Sequence, residues 1–226
     1  MNTLPEILLI DKPTGMTSFD VIRQLRKKTG IRKFGHAGTL DPLATGLMIL
    51  GVEAGTKKLT ELIKLDKEYI AEVRIGERRT TGDLEGDIVE KVEAVEISQS
   101  EISTAVHSLK GTQSLPVSAY SAIKKDGKPM YKRAREAAKI GELLGDVPIR
   151  DMKVYEAELL AIEDTEVDGK GRVVCKIRFF VGSGTYIRSL AEELGNRLNY
   201  PATLQSLRRT KVGEFRIEDA KKLEDI

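Results

Sequence analysis

Apolar and polar positions alternate with two different periods along the chain, and the periods divide it into elements. Ile7 to Lys12 (ILLIDK) is a short apolar run ended by Pro13 and Gly15, which predicts a buried strand. Thr17 or Ser18 then caps a helix that runs to about Lys28 and stops at Gly30. Lys67 to Gly76, Asp87 to Val95, Tyr155 to Asp164 and Arg172 to Val181 alternate apolar and polar residues as half-buried strands do. Helical spacing fits Ser100 to Leu109, Tyr131 to Ile140 and Thr185 to Leu198. Long strands with helices interspersed imply an α+β fold on a mixed, largely antiparallel central sheet flanked by helices and loops. Between Gly35 and Gly46, three glycines and a proline favour an irregular loop.

The 226 residues are 40% hydrophobic and 32% charged, enough for a substantial core. No repeat or long Pro/Gly/Ser linker interrupts them, so one domain over 1–226 is expected. No apolar run approaches the roughly 20 residues that cross a bilayer. The first ten residues carry Glu6 and no basic stretch. Neither a membrane partner nor secretion is expected, and the cytoplasm is the expected location. The single cysteine, Cys175, shares a strand face with Val173, Ile177 and Phe179 and reads as a buried structural thiol. With only His36 and His107 beside it there is no zinc-ligand cluster, so no metal is expected.

Net charge is +2, but its distribution is uneven. Val21 to Leu40 holds Arg23, Arg26, Lys27, Lys28, Arg32 and Lys33 and no acid. Tyr120 to Lys139 holds Lys124, Lys125, Lys128, Lys132, Arg133, Arg135 and Lys139 against Asp126 and Glu136. Each run alone fits a solvated helix face; together they fit a polyanionic partner. Between them lies GHAGTLDPLATG, Gly35 to Gly46. Its glycines let backbone approach a ligand, and Pro42 keeps Asp41 out of helical geometry. The residues alone favour an ordinary Asp-Pro turn over a catalytic loop.

That loop resembles the signature of the TruB-type tRNA pseudouridine synthases. So do, in the family's order, DKPTGMTS (Asp11 to Ser18), DKEYIAEVRIGERRTTGDLEG (Asp66 to Gly86), PVSAYSAIKKDGKPMYKRAREA (Pro116 to Ala137), GSGTYIRSLAEELG (Gly182 to Gly195) and LRRTKVGEF (Leu207 to Phe215). The resemblance implies conversion of uridine to pseudouridine at position 55 of the tRNA T loop, by base flipping and without a cofactor. It makes Asp41 the nucleophile, Arg188 the arginine that pairs with it, and Tyr69 the aromatic that stacks on the flipped base. An ordinary arginine at a helix start and a core tyrosine are the plainer readings of the last two.

By the same resemblance His36 lies against the RNA, although singly it reads as a satisfied loop histidine. Lys12, Pro13 and Leu207 close the pocket. Lys124, Lys125 and Lys132, on a finger at about 120–141, address phosphates together with Arg208. Asp83 lies in a family-like turn after Tyr69. Family members usually continue into a C-terminal PUA domain; none is expected after Leu207 to Phe215, so the expected partner is the T stem-loop, bound by a monomer. Two other classes stay open: a guide-RNA-dependent synthase of the dyskerin type, and a non-catalytic tRNA-binding or folding protein.

Overall fold

A computed structural model describes residues 4–121, 123–142, 144–167 and 170–226. In chain order the first elements are β1 (Ile7–Lys12), α1 (Ser18–Thr29), β2 (Phe34–His36), β3 (Thr45–Val52), α2 (Leu59–Leu62) and β4 (Lys67–Ile75). Then come β5 (Glu77–Arg79), β6 (Ile88–Lys91), α3 (Gln99–Ser108), β7 (Gly111–Pro116), β8 (Lys124–Lys125), β9 (Lys128–Pro129) and α4 (Met130–Lys139). The last are β10 (Ile149–Val167), β11 (Lys170–Val181), α5 (Ile187–Leu198), β12 (Ala202–Val212), β13 (Phe215–Arg216) and β14 (Lys221–Lys222). The fold is α+β with a mixed, largely antiparallel sheet, as the sequence predicts.

The chain packs into two compact units: Met1–Ile70 with Phe180–Ser183 and Ser206–Ile226, and Ala71–Phe179 with Gly184–Gln205. The borders fall inside β4 and β12, not in linkers.

In the first unit the strand order is β14-β1-β3-β12, with β2 on β3 and β13 on β12. β1 runs antiparallel to β3, with Ile10 opposite Met48, whereas β3 and β12 are parallel. α1 begins as predicted: Thr17 and Asp20 form a reciprocal capping box, and Gly30 at φ 75 ends the helix. Its Val21, Ile22 and Leu25 pack with Leu8, Ile10, Met48 and Leu50. Leu47 and Ile49 point the other way, into a cluster with Ala37, Val212 and Leu59. β3 is therefore covered on both faces. Such a strand carries continuous apolar residues instead of alternation, which is why periodicity does not reveal it.

In the second unit β10 pairs antiparallel with β7, and the neighbouring strands follow in the order β12-β4-β11-β10-β7. Val173, Cys175, Ile177 and Phe179 are all buried, as their alternation predicts. The Cys175 thiol is pushed up to about 12 by burial, which makes it inert. β10 runs longer than the predicted Tyr155 to Asp164, and β6 is shorter than the predicted Asp87 to Val95. The residues of β6 are exposed, so little packing extends that pairing.

Candidate active site

The segment between β2 and β3 carries Asp41 and is fixed from several sides. Ala44 N–H donates to the Asp41 carbonyl at 3.1 Å, closing a turn with Pro42 second, where its fixed φ belongs. The Asp-Pro turn read from the sequence is thus real, and it is also anchored. The Ser18 hydroxyl donates to Leu40 O at 3.0 Å and accepts from Leu40 N–H at 2.9 Å. Gly15 N–H donates to Pro42 O at 2.9 Å. Lys12, fully buried, donates from Nζ to Ala44 O at 2.7 Å, Pro13 O at 2.9 Å and Pro42 O at 3.4 Å. The block Asp11 to Ser18 therefore grips the backbone on both sides of Asp41. An ammonium buried this deeply is tolerated because carbonyl oxygens replace its water shell.

Two loop glycines are sterically required. Gly38 has φ +100 and Gly46 φ +101, where side-chain-bearing residues are strained. At Gly46 an added Cβ would lie 2.3 Å from the Arg209 carbonyl oxygen. Only glycine lets β12 come this close.

Other residues singled out from the sequence lie in the same unit. Tyr69 is 7% exposed and shares the buried face of β4 with Lys67. His36 pairs across β2 with Leu50. Burial, and then the Arg209 charge, lower its pKa, so the imidazole stays neutral near pH 7, which suits contact better than proton donation. Leu207 is 8% exposed, and its carbonyl accepts from Thr45 Oγ1 at 3.4 Å. Arg208 donates to both Asp11 oxygens, at 2.7 and 3.1 Å, and so carries a carboxylate partner along with any RNA contact.

Arg188 belongs to the second unit. At 5% exposure it donates to Thr81 O at 2.9 Å and Tyr120 O at 3.2 Å, and Asp83 Oδ2 lies 3.7 Å from its Nη1. The reading of Arg188 as an ordinary surface arginine is excluded by this burial. Asp83 is itself locked, accepting from Thr81 Oγ1 at 2.5 Å and Glu85 N–H at 3.1 Å. Burial pushes the Glu192 carboxyl up, against the opposing charges of Arg78 and Arg188.

The basic segment is a hairpin and a helix. β8 and β9 join through Asp126 (φ 52) and Gly127 (φ 78), and α4 follows. Asp126 and Gly127 both at positive φ make the turn favoured by hairpins. Lys125 pairs with Asp146, Lys128 with Glu136 and Arg133 with Asp126. Lys124 and Lys132 are exposed, with no ion pair among the described residues.

Sequence reasoning missed Lys67 and Arg209 as buried cations. Lys67 donates to Leu65 O at 2.6 Å, Ile63 O at 2.7 Å and Ser183 Oγ at 3.2 Å. Burial, then the Arg209 charge, lower its pKa to about 8. Arg209 follows Arg208 on β12, and adjacent strand residues point to opposite faces, so one of the two was bound to turn inward. Among the described residues no group of three acids, histidines or cysteines could hold a metal ion.

Residues 26–187 match the family model for the N-terminal domain of TruB family pseudouridylate synthases. The chain is 43% identical over 220 residues to tRNA pseudouridine synthase B of Corynebacterium efficiens, covering 97% of this chain and 71% of that protein. Identity is 42% over 222 residues to the enzyme of the same name from Leifsonia xyli subsp. xyli, covering 96% and 70%. For that of Mycobacterium leprae it is 40% over 223 residues, covering 98% and 68%. Among solved structures, a Cbf5-Nop10-Gar1 complex matches with TM-score 0.70 and 27% identity, over 97% of this chain and 52% of that one. An H/ACA RNP bound to a substrate RNA containing 2'-deoxyuridine matches with TM-score 0.69 and 26% identity, over 97% and 51%. The chain thus spans about 70% of the bacterial relatives and about half of the structural ones. With the family model covering most of its length and bacterial relatives 40–43% identical over nearly all of it, the chain belongs to the TruB family of pseudouridine synthases.

Proposed function

We propose that this chain isomerises uridine 55 in the T loop of tRNA to pseudouridine, with Asp41 as nucleophile and Tyr69 and Arg188 as the other catalytic residues. The observation that carries the reading is the family match, joined to an Asp41 whose flanking backbone is gripped by Lys12, Ser18 and Gly15. A carboxylate on so stiff a loop is presented to substrate without a further ordering cost, which is what covalent catalysis needs. The flipped uridine loses its C1'–N1 bond and, after rotation of the base, gains a C1'–C5 bond. The C5 proton leaves to solvent and N1 takes one up, so the reaction is redox-neutral.

Tyr69 offers a flat face for the base, a contact worth about 1–3 kcal/mol. Lys12, Pro13 and Leu207 wall the pocket, and His36 and Arg208 lie on the RNA. Lys124, Lys125 and Lys132 address phosphates, which helps to offset the few kcal/mol that flipping costs. The reading has the protein act as a cytoplasmic monomer on the T stem-loop, without metal or cofactor.

The structural likeness to H/ACA proteins favours, as a second reading, an enzyme directed by a guide RNA. Identities of 40–43% to tRNA pseudouridine synthase B against 26–27% to the chains from the H/ACA RNP and the Cbf5-Nop10-Gar1 complex support the stand-alone enzyme. The test is tritium release from unmodified tRNA labelled at C5 of uridine, with Asp41→Asn as control. Release without guide RNA, lost in the control, is expected. Folded protein that releases no more than the control defeats the proposal.

A further inference from the structure

Arg209 is 0% exposed, yet it is an arginine. Its Nε donates to Leu47 O at 2.7 Å and its Nη2 to Gly38 O at 3.3 Å. Its Nη1 is buried without a hydrogen-bond partner among the described residues. Among the described residues it forms no ion pair with a carboxylate, and its charge lowers the pKa of both Lys67 and His36. A buried guanidinium in this state is costly to the fold, because paired charges are the form in which such groups are ordinarily buried. Costly features of this kind concentrate where function requires them.

The three places Arg209 touches bracket one residue. Gly38 lies three positions before Asp41, and Gly46 and Leu47 lie five and six after it. The Arg209 backbone is in parallel register with Gly46, so close that a Cβ there would fall 2.8 Å from its nitrogen. The side chain then reaches beneath the loop to Gly38, where a Cβ would lie 3.6 Å from Nη1. Lys12 donates to Pro42 and Ala44 on the later side of the turn, whereas Arg209 spans both ends of the loop.

We propose that Arg209 is a positioning residue for the nucleophile, its guanidinium and backbone fastening the loop at Gly38, Gly46 and Leu47 so that the Asp41 carboxylate is presented in one orientation. This rests on the assignment of Asp41 under the proposed function. It acts through the loop, not on the RNA, so its loss lowers the rate of the chemical step and leaves RNA affinity alone. The planar fork matters as well as the charge. Two carbonyls on opposite ends of the loop are met by two nitrogens of one rigid group, and a lysine ammonium reaches one of them at a time.

The experiment compares the full 226-residue protein with Arg209→Gln, Arg209→Lys and, as a stability control, Leu50→Ala in the core cluster beside α1. Tritium release is measured across RNA concentrations, and the folded fraction by urea unfolding. Expected for Arg209→Gln is a kcat at least about tenfold lower with KM within about twofold, because misplacement of a reacting group by an ångström costs on the order of a hundredfold. Arg209→Lys falls between it and the parent. Leu50→Ala keeps the parental kcat per folded molecule.

Parental kcat in either Arg209 variant overturns the inference, as does a loss no larger than in Leu50→Ala after correction for folded fraction. If Arg209→Gln does not fold, Arg209→Lys decides alone. A parent that releases no tritium defeats the proposed function itself, whereas an active parent with unaffected Arg209 variants defeats only the role given to Arg209.

Discussion

Gly46→Ala puts the close approach of β3 and β12 to a direct test. The new Cβ would stand 2.3 Å from the Arg209 carbonyl oxygen, and real Cβ contacts essentially never fall under 3.0 Å, so the strands must part locally by about 0.7 Å, the difference of those two distances. Backbone supplies the obstacle on both sides, and no flexible side chain can swing away. Parting strains the backbone hydrogen bonds around the Arg208–Thr45 and Arg209–Gly46 pairs, each worth about 0.5–1.5 kcal/mol. Alanine at φ +101 adds a backbone cost of about 1–3 kcal/mol. The expected loss is therefore about 2–6 kcal/mol, a large share of the stability of an ordinary domain. Urea unfolding at matched m-value reads it, and turnover read alongside should fall too, because the displaced strand carries Arg209 away from the loop. A loss under about 1 kcal/mol with parental turnover would show that the strands do not meet as described and would remove the steric reason for a glycine there.

Lys67, whose folded pKa of about 8 lies below its ordinary 10.5, binds its proton less well folded than unfolded. Stability is thus lowered by its charge below pH 8 and recovers as pH rises from about 8 to 10.5, by on the order of 3 kcal/mol; Lys67→Met should flatten that rise in unfolding curves. Neutralising Lys124, Lys125 and Lys132 together should weaken RNA binding and lower the slope of log affinity against log salt by up to about three units, since each phosphate contact contributes about one; an unchanged slope in filter-binding titrations removes them from the interface. Cys175, held up to about 12 and fully buried, should resist thiol reagents until the protein is unfolded, and Cys175→Ser should cost about 1–3 kcal/mol without altering turnover per folded molecule.

Elements whose signals are local were legible in the chain. β1, α1 with its Thr17 cap and Gly30 stop, and the alternating face of Cys175 follow from neighbouring residues and periodicity alone. β3 and β12 were not, because a strand covered on both faces has no alternation, and β12 carries charged residues whose burial depends on what lies opposite. Of the site, the loop, its glycines and its Asp-Pro turn were visible, and the resemblance of six segments supplied the chemistry. Nothing local distinguished Arg208 from Arg209. Strand geometry sends the two to opposite faces, one to Asp11 at 2.7 Å and one beneath the loop, and only the neighbours of β12 decide which is which.

The sequence by itself determined the local conformations, the stiff turn at Asp41 and the family. The tertiary structure decided what holds that turn: Lys12, Ser18 and Arg209 come to it from 29, 23 and 168 positions away along the chain, by the numbering. Hydrogen bonds over such separations depend on how sheet and helix pack, which no pattern of neighbouring residues encodes.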